Sequence, residues 1–189
     1  MDMEKKPTLI IMCGPAGSGK DYAIYKDKNS FVYKKRKAGA KVVSRDKIRF
    51  RLIKENEVHT PKKEEPVFAE FVKQIGDFMN EGYDVIANAT HVSRRARKRL
   101  RQEVDRYFRR STRIKYDIIY YVVKRDFETC MAQNAQRSGR ENVPESSIRY
   151  MCKNFTVPHY EEKEHVISII VNEGGVETVL PREEETQDE

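Results

Sequence analysis

The sequence predicts a three-layer α/β sandwich, and three observations carry that expectation. Five segments, at 8–13, 41–44, 84–87, 116–123 and 165–171, are apolar almost throughout rather than alternating. That is the pattern of strands covered on both faces, as in a parallel sheet. The stretches between them repeat apolar residues at helical spacing. A glycine-rich run, Gly14 to Lys20, comes directly after the first segment. Strands alternating with helices imply right-handed crossovers, and such sheets gather their ligands at the carboxyl ends of the strands.

Phe68, Phe71, Val72, Ile75, Phe78 and Met79 mark one face of a helix that should end near Gly82. Ala96, Leu100, Val104 and Phe108 mark a second. Further helices are expected over 126–135 and from Pro144 to about Asn154, the proline suiting a first turn. The 189 residues suit one domain, taken as 1–180, with an acidic tail at 181–189 that is expected to be disordered. Charged residues make up 35% of the chain, and its longest apolar runs are far too short to cross a bilayer. The first residues lack the apolar stretch of a secretory signal, and Cys13, Cys130 and Cys152 show no metal-ligand spacing. Three reduced thiols in a cytoplasmic protein are expected. The net charge is +7, and the tail carries one arginine against five acids, which leaves +11 on the rest. Such a body favours polyanionic partners, nucleic acid first, although a basic surface alone also fits.

Gly14-Pro15-Ala16-Gly17-Ser18-Gly19-Lys20 sits between a strand and a helix. Glycines there let successive amides turn inward, making an anion cradle at a helix N-terminus, and Lys20 would reach the outer phosphates. This makes the expected fold a P-loop NTPase sandwich of about five mostly parallel strands, and ATP the expected ligand. Where the motif wants Ser or Thr as a Mg²⁺ ligand, the chain has Asp21. A carboxylate suits that hard ion; a first-turn acid or a decayed metal site is the alternative. At the end of the third strand Asn88 stands where an Asp often assists Mg²⁺. The carboxylate has either moved from strand to loop, or metal-site function is lost. His91 reads as a polar loop residue.

Ser44 to Arg49 spans the end of the second strand and the start of a helix. Asp46 would face the crevice and could accept a proton from a hydroxyl nucleophile. Arg49, one turn on, could hold a substrate phosphate. A capping role for Ser44 or Asp46, with Arg49 at the surface, is the alternative. From Arg94 to Arg113 the chain is densely basic, with only Glu103 and Asp105 opposing. That face could attract a nucleic-acid backbone or simply be solvated. The loop bearing Arg137 and Arg140 could close over a triphosphate, or be an exposed turn.

In combination the motifs resemble the kinase domain of phage-type 5′-hydroxyl polynucleotide kinases. That family shows Gly-x-Pro-Gly-Ser-Gly-Lys-Ser, Arg-Asp-x-x-Arg, an Asp-x-Thr-Asn-type strand end, and Asn-x-x-Arg before Val-Pro. Here they stand as Gly14 to Asp21, Arg45 to Arg49, Asn88 to His91, and Asn134 to Arg137 before Val143-Pro144. The resemblance implies that Lys20 contacts phosphates and that Asp46 is the general base on a 5′-hydroxyl. It implies that Arg49, with Arg45 and Thr90, binds the acceptor, and that Arg137 stabilises the transferring phosphoryl. Asp21 and Asn88 depart from the pattern on the metal side. A small-molecule kinase on the same fold and a non-catalytic ATP-dependent nucleic-acid-binding module are the competing expectations.

Overall fold

A computed structural model describes residues 6–55, 57, 60–111, 115–163 and 165–182. Residues 183–189 of the expected tail and Arg113 lie outside that set, as do the side chains of Arg109 and Arg110. In chain order the elements are β1 (Thr8–Cys13), α1 (Lys20–Tyr25), α2 (Phe31–Lys37), β2 (Lys41–Ser44), α3 (Arg45–Leu52), α4 (Pro61–Asn80) and β3 (Val85–Asn88). They continue with α5 (Arg94–Ser111), β4 (Asp117–Lys124), α6 (Phe127–Asn134), α7 (Glu145–Lys153), β5 (Val166–Glu173) and β6 (Val176–Val179). The sheet order is β2-β3-β1-β4-β5-β6, parallel except for β6. Among the described residues no helix is long and apolar enough to cross a membrane.

Six strands therefore stand where the apolar runs predict about five. The sixth returns from β5 through Gly174 and Gly175, both at positive φ, which suits a tight hairpin. Its four residues are mostly exposed and carry no apolar run, so periodicity alone misses it. It is held through Glu177, which accepts the Phe31 amide at the start of α2 (2.9 Å) and the Tyr121 hydroxyl (2.5 Å).

The central strand β1 is buried throughout, and side chains from its two faces enter separate apolar clusters. Leu9 and Ile11 pack with Phe71 and Ile75 of α4 and Leu100 and Val104 of α5. Ile10 and Met12 pack with Ile24 of α1 and Val32 of α2. Helices on both faces of a parallel sheet make the three layers. The α4 stripe lands inward as its spacing predicts, and Thr60 caps its first turn by accepting the Lys63 amide.

The basic helix α5 is only partly a surface feature. Arg97 has no exposed side chain, and Arg101 is buried as well. Both donate to the fully buried carboxylate of Glu162, in the 3-10 turn Tyr160–Glu162. Arg97 also donates to the carbonyls of His91 (3.3 Å) and Thr156 (2.9 Å), and Arg101 to the Tyr120 hydroxyl. Burial alone would raise the Glu162 pKa; hydrogen bonds and charge from Arg97 and Arg101 outweigh it and hold it below the ordinary 4.5.

Removing this carboxylate strands two buried guanidinium groups. Glu162→Ala is expected to lower stability by about 3–5 kcal/mol in chemical denaturation. A depressed folded pKa contributes stability above the unfolded value that is lost as pH falls through the folded value. The parent should therefore lose stability below roughly pH 4.5, with that acid-dependent component diminished in the variant.

Candidate active site

The phosphate loop is shaped by contacts beneath it. Gly17 has φ +78, and a Cβ there would lie 2.2 Å from the Cys130 carbonyl oxygen on α6. Gly14 approaches the Val123 carbonyl in a similar way, where a Cβ would sit 2.6 Å from the oxygen. Ala16, Cys130 and Ile148 form a small core of their own with α6 and α7 around them, so the loop rests on apolar side chains. Ser18 is fully buried. Lys20, the first residue of α1, folds back to donate to the carbonyls of Gly14 (2.8 Å) and Pro15 (2.6 Å). Burial first, then the charge of Arg137, pull its pKa down, while Asp21 and Asp46 resist; the result is about 8.

The third strand ends at Asn88, and two bonds to the neighbouring strand end hold the loop beyond it. Gly14 donates its amide to the Thr90 carbonyl at 2.8 Å. His91 Nδ1 lies 2.8 Å from the Met12 carbonyl, which sets that ring's donor there. His91 is a loop residue, as its sequence context suggests, but a buried one: it sits at φ +39, and burial drives its pKa to about 4. Its imidazole is neutral and acts as a strut between β1 and the loop after β3. The two residues expected on the metal side meet in space: Asn88 Nδ2 donates to Asp21 Oδ1 at 2.7 Å. One carboxylate and one amide beside a phosphate cradle fit Mg²⁺, which is usually held by one or two carboxylates together with substrate phosphates.

Across the crevice lies α3. Ser44 provides its cap by accepting the Lys47 amide, so Asp46 is not spent on capping. Asp46 instead pairs with Arg49 one turn on, and its side chain stays 68% exposed. Arg49 and Arg45 both donate to Glu64, in the first turn of α4 (Arg45 Nη2 to Oε2, 2.8 Å; Arg49 Nη2 to Oε2, 3.1 Å). Arg45 and Arg99 each place a guanidinium over the Phe68 ring, at 5.3 and 4.3 Å from its centroid. Three arginines thus converge on one carboxylate and one ring. Sequence reasoning misses Glu64, because its local signal is that of any favourable first-turn acid.

The lid loop divides the two arginines assigned to it. Asn134, 3% exposed, donates to the Val143 carbonyl (2.8 Å) and accepts the Val143 amide (3.0 Å), pinning both ends of the loop. Arg137, just inside that pin, lies close enough for its charge to act on Lys20 and has no side-chain hydrogen-bond partner among the described residues. Arg140 differs from expectation. It donates to the carbonyls of Phe50 (3.2 Å) and Ile53 (2.7 Å) at the end of α3 and stacks on Phe50. Carbonyls at a helix C-terminus lack partners within the helix, and a cation satisfies them well. In this structure Arg140 ties its loop to the end of α3.

A family model described as an AAA domain matches residues 9–158. The chain belongs to that family. Its fold is the P-loop NTPase fold, shared with a solved sugar kinase and a solved RNA kinase. A sugar kinase from Janibacter sp. HTCC2649 is 14% identical, with TM-score 0.56, over 88% of this chain and 84% of that one. A chain of the Pnkp1/Rnl/Hen1 RNA repair complex is 20% identical, with TM-score 0.60, over 81% of this chain and 45% of that one. A fungal RNA kinase is 9% identical, with TM-score 0.57, over 89% and 75%. At these identities the likeness is one of fold. No curated protein sequence matches the chain at a significant level.

The depressed pKa of Lys20 gives a direct test of the cradle. A triphosphate favours the charged ammonium, so nucleotide binding at about pH 9 should take up a proton that Lys20 lacks in the free protein. Calorimetry in buffers of different ionisation enthalpy should show this uptake at pH 9. It should vanish at about pH 6.5 and in Lys20→Ala.

Proposed function

We propose that the protein transfers the γ-phosphoryl group of ATP to a 5′-hydroxyl end of DNA or RNA. The observation that carries this reading is the set of charges around Lys20: Asp46 of α3, exposed and paired with Arg49, and Arg137 of the loop after α6 both act on its charge. Lys20 and the loop amides would hold the β- and γ-phosphates. Asp46 would orient the acceptor hydroxyl and take its proton as the oxygen attacks phosphorus and ADP departs. Arg137 would meet the charge that develops on the transferring group. Mg²⁺, where bound, would be held by Asp21 with Asn88 and the phosphate oxygens, and supplies charge neutralisation. Arg45, Arg49 and Thr90 would line the acceptor side.

One observation favours a second reading, a kinase acting on a small hydroxylated molecule. Glu64 already fills the fork of Arg49 and accepts one bond from Arg45, and a carboxylate held in that way is well placed to accept hydrogen bonds from a polyol. The sugar kinase among the structural neighbours belongs to that class.

Incubation with Mg²⁺, γ-labelled ATP and 5′-hydroxyl DNA and RNA oligonucleotides should label an oligonucleotide. The label should fall at least about 10²-fold in Asp46→Ala and in Lys20→Ala. Absence of label on any oligonucleotide, with label on sugars or nucleosides, would overturn the proposal in favour of the second reading. Glu64→Gln separates the two independently. If Arg49 seats an acceptor phosphate, the variant should lower KM for 3′-phosphorylated acceptors by roughly 10-fold, about 1.4 kcal/mol. If Glu64 holds hydroxyl groups, KM should rise.

A further inference from the structure

The first two turns of α5 carry three cations that nothing among the described residues neutralises. Arg94, Arg95 and Lys98 are exposed and have no ion-pair partner there. They rim a groove of about 580 Å³ whose remaining charged groups are Arg101, Asp105, Glu162 and Lys163. Both of its carboxylates are already engaged, Glu162 by Arg97 and Arg101, and Asp105 by Lys163 at 2.6 Å. Among the described residues the groove therefore keeps the three charges of its rim in excess.

Their position does nothing for the helix itself. The first turn of α5 contains no acid, and cations there face the positive end of the helix dipole and one another. Arg97 and Arg101, on the same helix, are consumed by Glu162, and Arg99 lies over the Phe68 ring, which among the described residues leaves Arg94, Arg95 and Lys98 as the unpaired cations of the first two turns. It also adjoins the candidate active site. Thr90, whose carbonyl is bonded to Gly14, lies four residues before Arg94, at most about 14 Å of chain. Arg97 clamps the intervening loop through the His91 carbonyl. A strand leaving the acceptor pocket past Thr90 would reach the ridge within about four stacked nucleotides.

We propose that this groove is the track for a single-stranded nucleic acid whose 5′ end sits at Asp46, its downstream phosphates pairing with Arg94, Arg95 and Lys98. The proposal rests on the polynucleotide reading of the acceptor site and adds to it a length requirement. Nucleic acid is favoured over an acidic peptide because the ridge continues from a site already built for phosphates.

The test compares the parent with Arg94→Ala/Arg95→Ala/Lys98→Ala. It measures anisotropy of a 3′-labelled 10-nucleotide single strand as a function of salt, and label transfer to that strand and to a nucleoside 3′-phosphate. The triple variant should raise KM for the 10-mer by roughly 10- to 100-fold with kcat unchanged. KM for the nucleoside 3′-phosphate, too short to reach the ridge, should stay the same. The slope of log K against log salt should fall by about 2, since each phosphate contact on a single strand contributes about 0.7. The charge-preserving variant Arg94→Lys/Arg95→Lys/Lys98→Arg should restore binding, which separates loss of charge from loss of fold. Unchanged 10-mer affinity and slope in the triple alanine variant would overturn the proposal. So would a poly-glutamate peptide that binds as tightly as the 10-mer and loses affinity equally. If the parent labels no acceptor, yet the 10-mer binds in a ridge-dependent way, the track stands and the assigned reaction fails.

Discussion

The buried carboxylate of Glu162 is the counter-charge on which the carboxyl edge of the sheet depends. Two guanidinium groups from α5 converge on it with no exposed side-chain surface on Arg97 or Glu162. Through Arg97 the same cluster reaches the loop after β3 at His91 and the segment after α7 at Thr156. Through Arg101 it reaches β4 at Tyr120. Such a cluster is a poor source of net stability compared with a well-packed apolar core, because desolvation of the charges offsets most of their attraction. What it does provide is geometry: the charges have few alternative partners, so the loop that bears Thr90 and His91 has few alternative positions. The candidate site is thus held from behind by electrostatics and from below by packing.

The two sides of the crevice are prepared differently. On the phosphate side the backbone is committed in advance, with Gly17 pressed against the Cys130 carbonyl and Lys20 bonded to the loop's own carbonyls. Phosphate binding there exchanges one set of Lys20 acceptors for another and needs little rearrangement, the condition for electrostatic preorganisation. On the acceptor side the charges are instead paired with one another, as Asp46 with Arg49 and Glu64 with both Arg45 and Arg49. A substrate group must enter an existing ion network and displace or join it. On the proposed reading, acceptor selectivity would reside in what can compete with Glu64, and nucleotide affinity in the loop.

Much of the architecture is legible in the sequence because it rests on local signals. The buried strands read as continuous apolar runs, the α4 stripe as a helical period, and the phosphate loop as glycines placed between a strand and a helix. Ser44 and Asp46 are both readable as caps, and only the structure assigns that duty to Ser44 alone. The illegible parts depend on partners distant in sequence. Arg97 and Arg101 read as surface charge because Glu162, sixty-odd positions away, has no pattern that announces it. Arg140 reads as a lid cation, since nothing in its neighbourhood reveals the open carbonyls of Phe50 and Ile53. Strand β6 escapes because it is short and mostly exposed: it is held by its ladder with β5 and by Glu177, and it shows no apolar run.

These long-range contacts also decide how the lid can move. Helix α6 supports the phosphate loop through Cys130 and, at its end, presents Asn134 and then Arg137. Because α6 cannot shift without disturbing Gly17, any closure must be confined to the segment that Asn134 pins to Val143. That segment carries Arg137 toward Lys20 and Arg140 toward the end of α3, so a single short loop bridges the nucleotide side and the acceptor side. Displacing Arg140 from the α3 carbonyls would free the loop and leave those carbonyls uncapped, whereas keeping it there holds α3, and with it Asp46, at a fixed distance from the lid. The loop and the end of α3 are therefore mechanically linked through Arg140, and in the proposed reaction that contact would couple closure over ATP to the placement of Asp46.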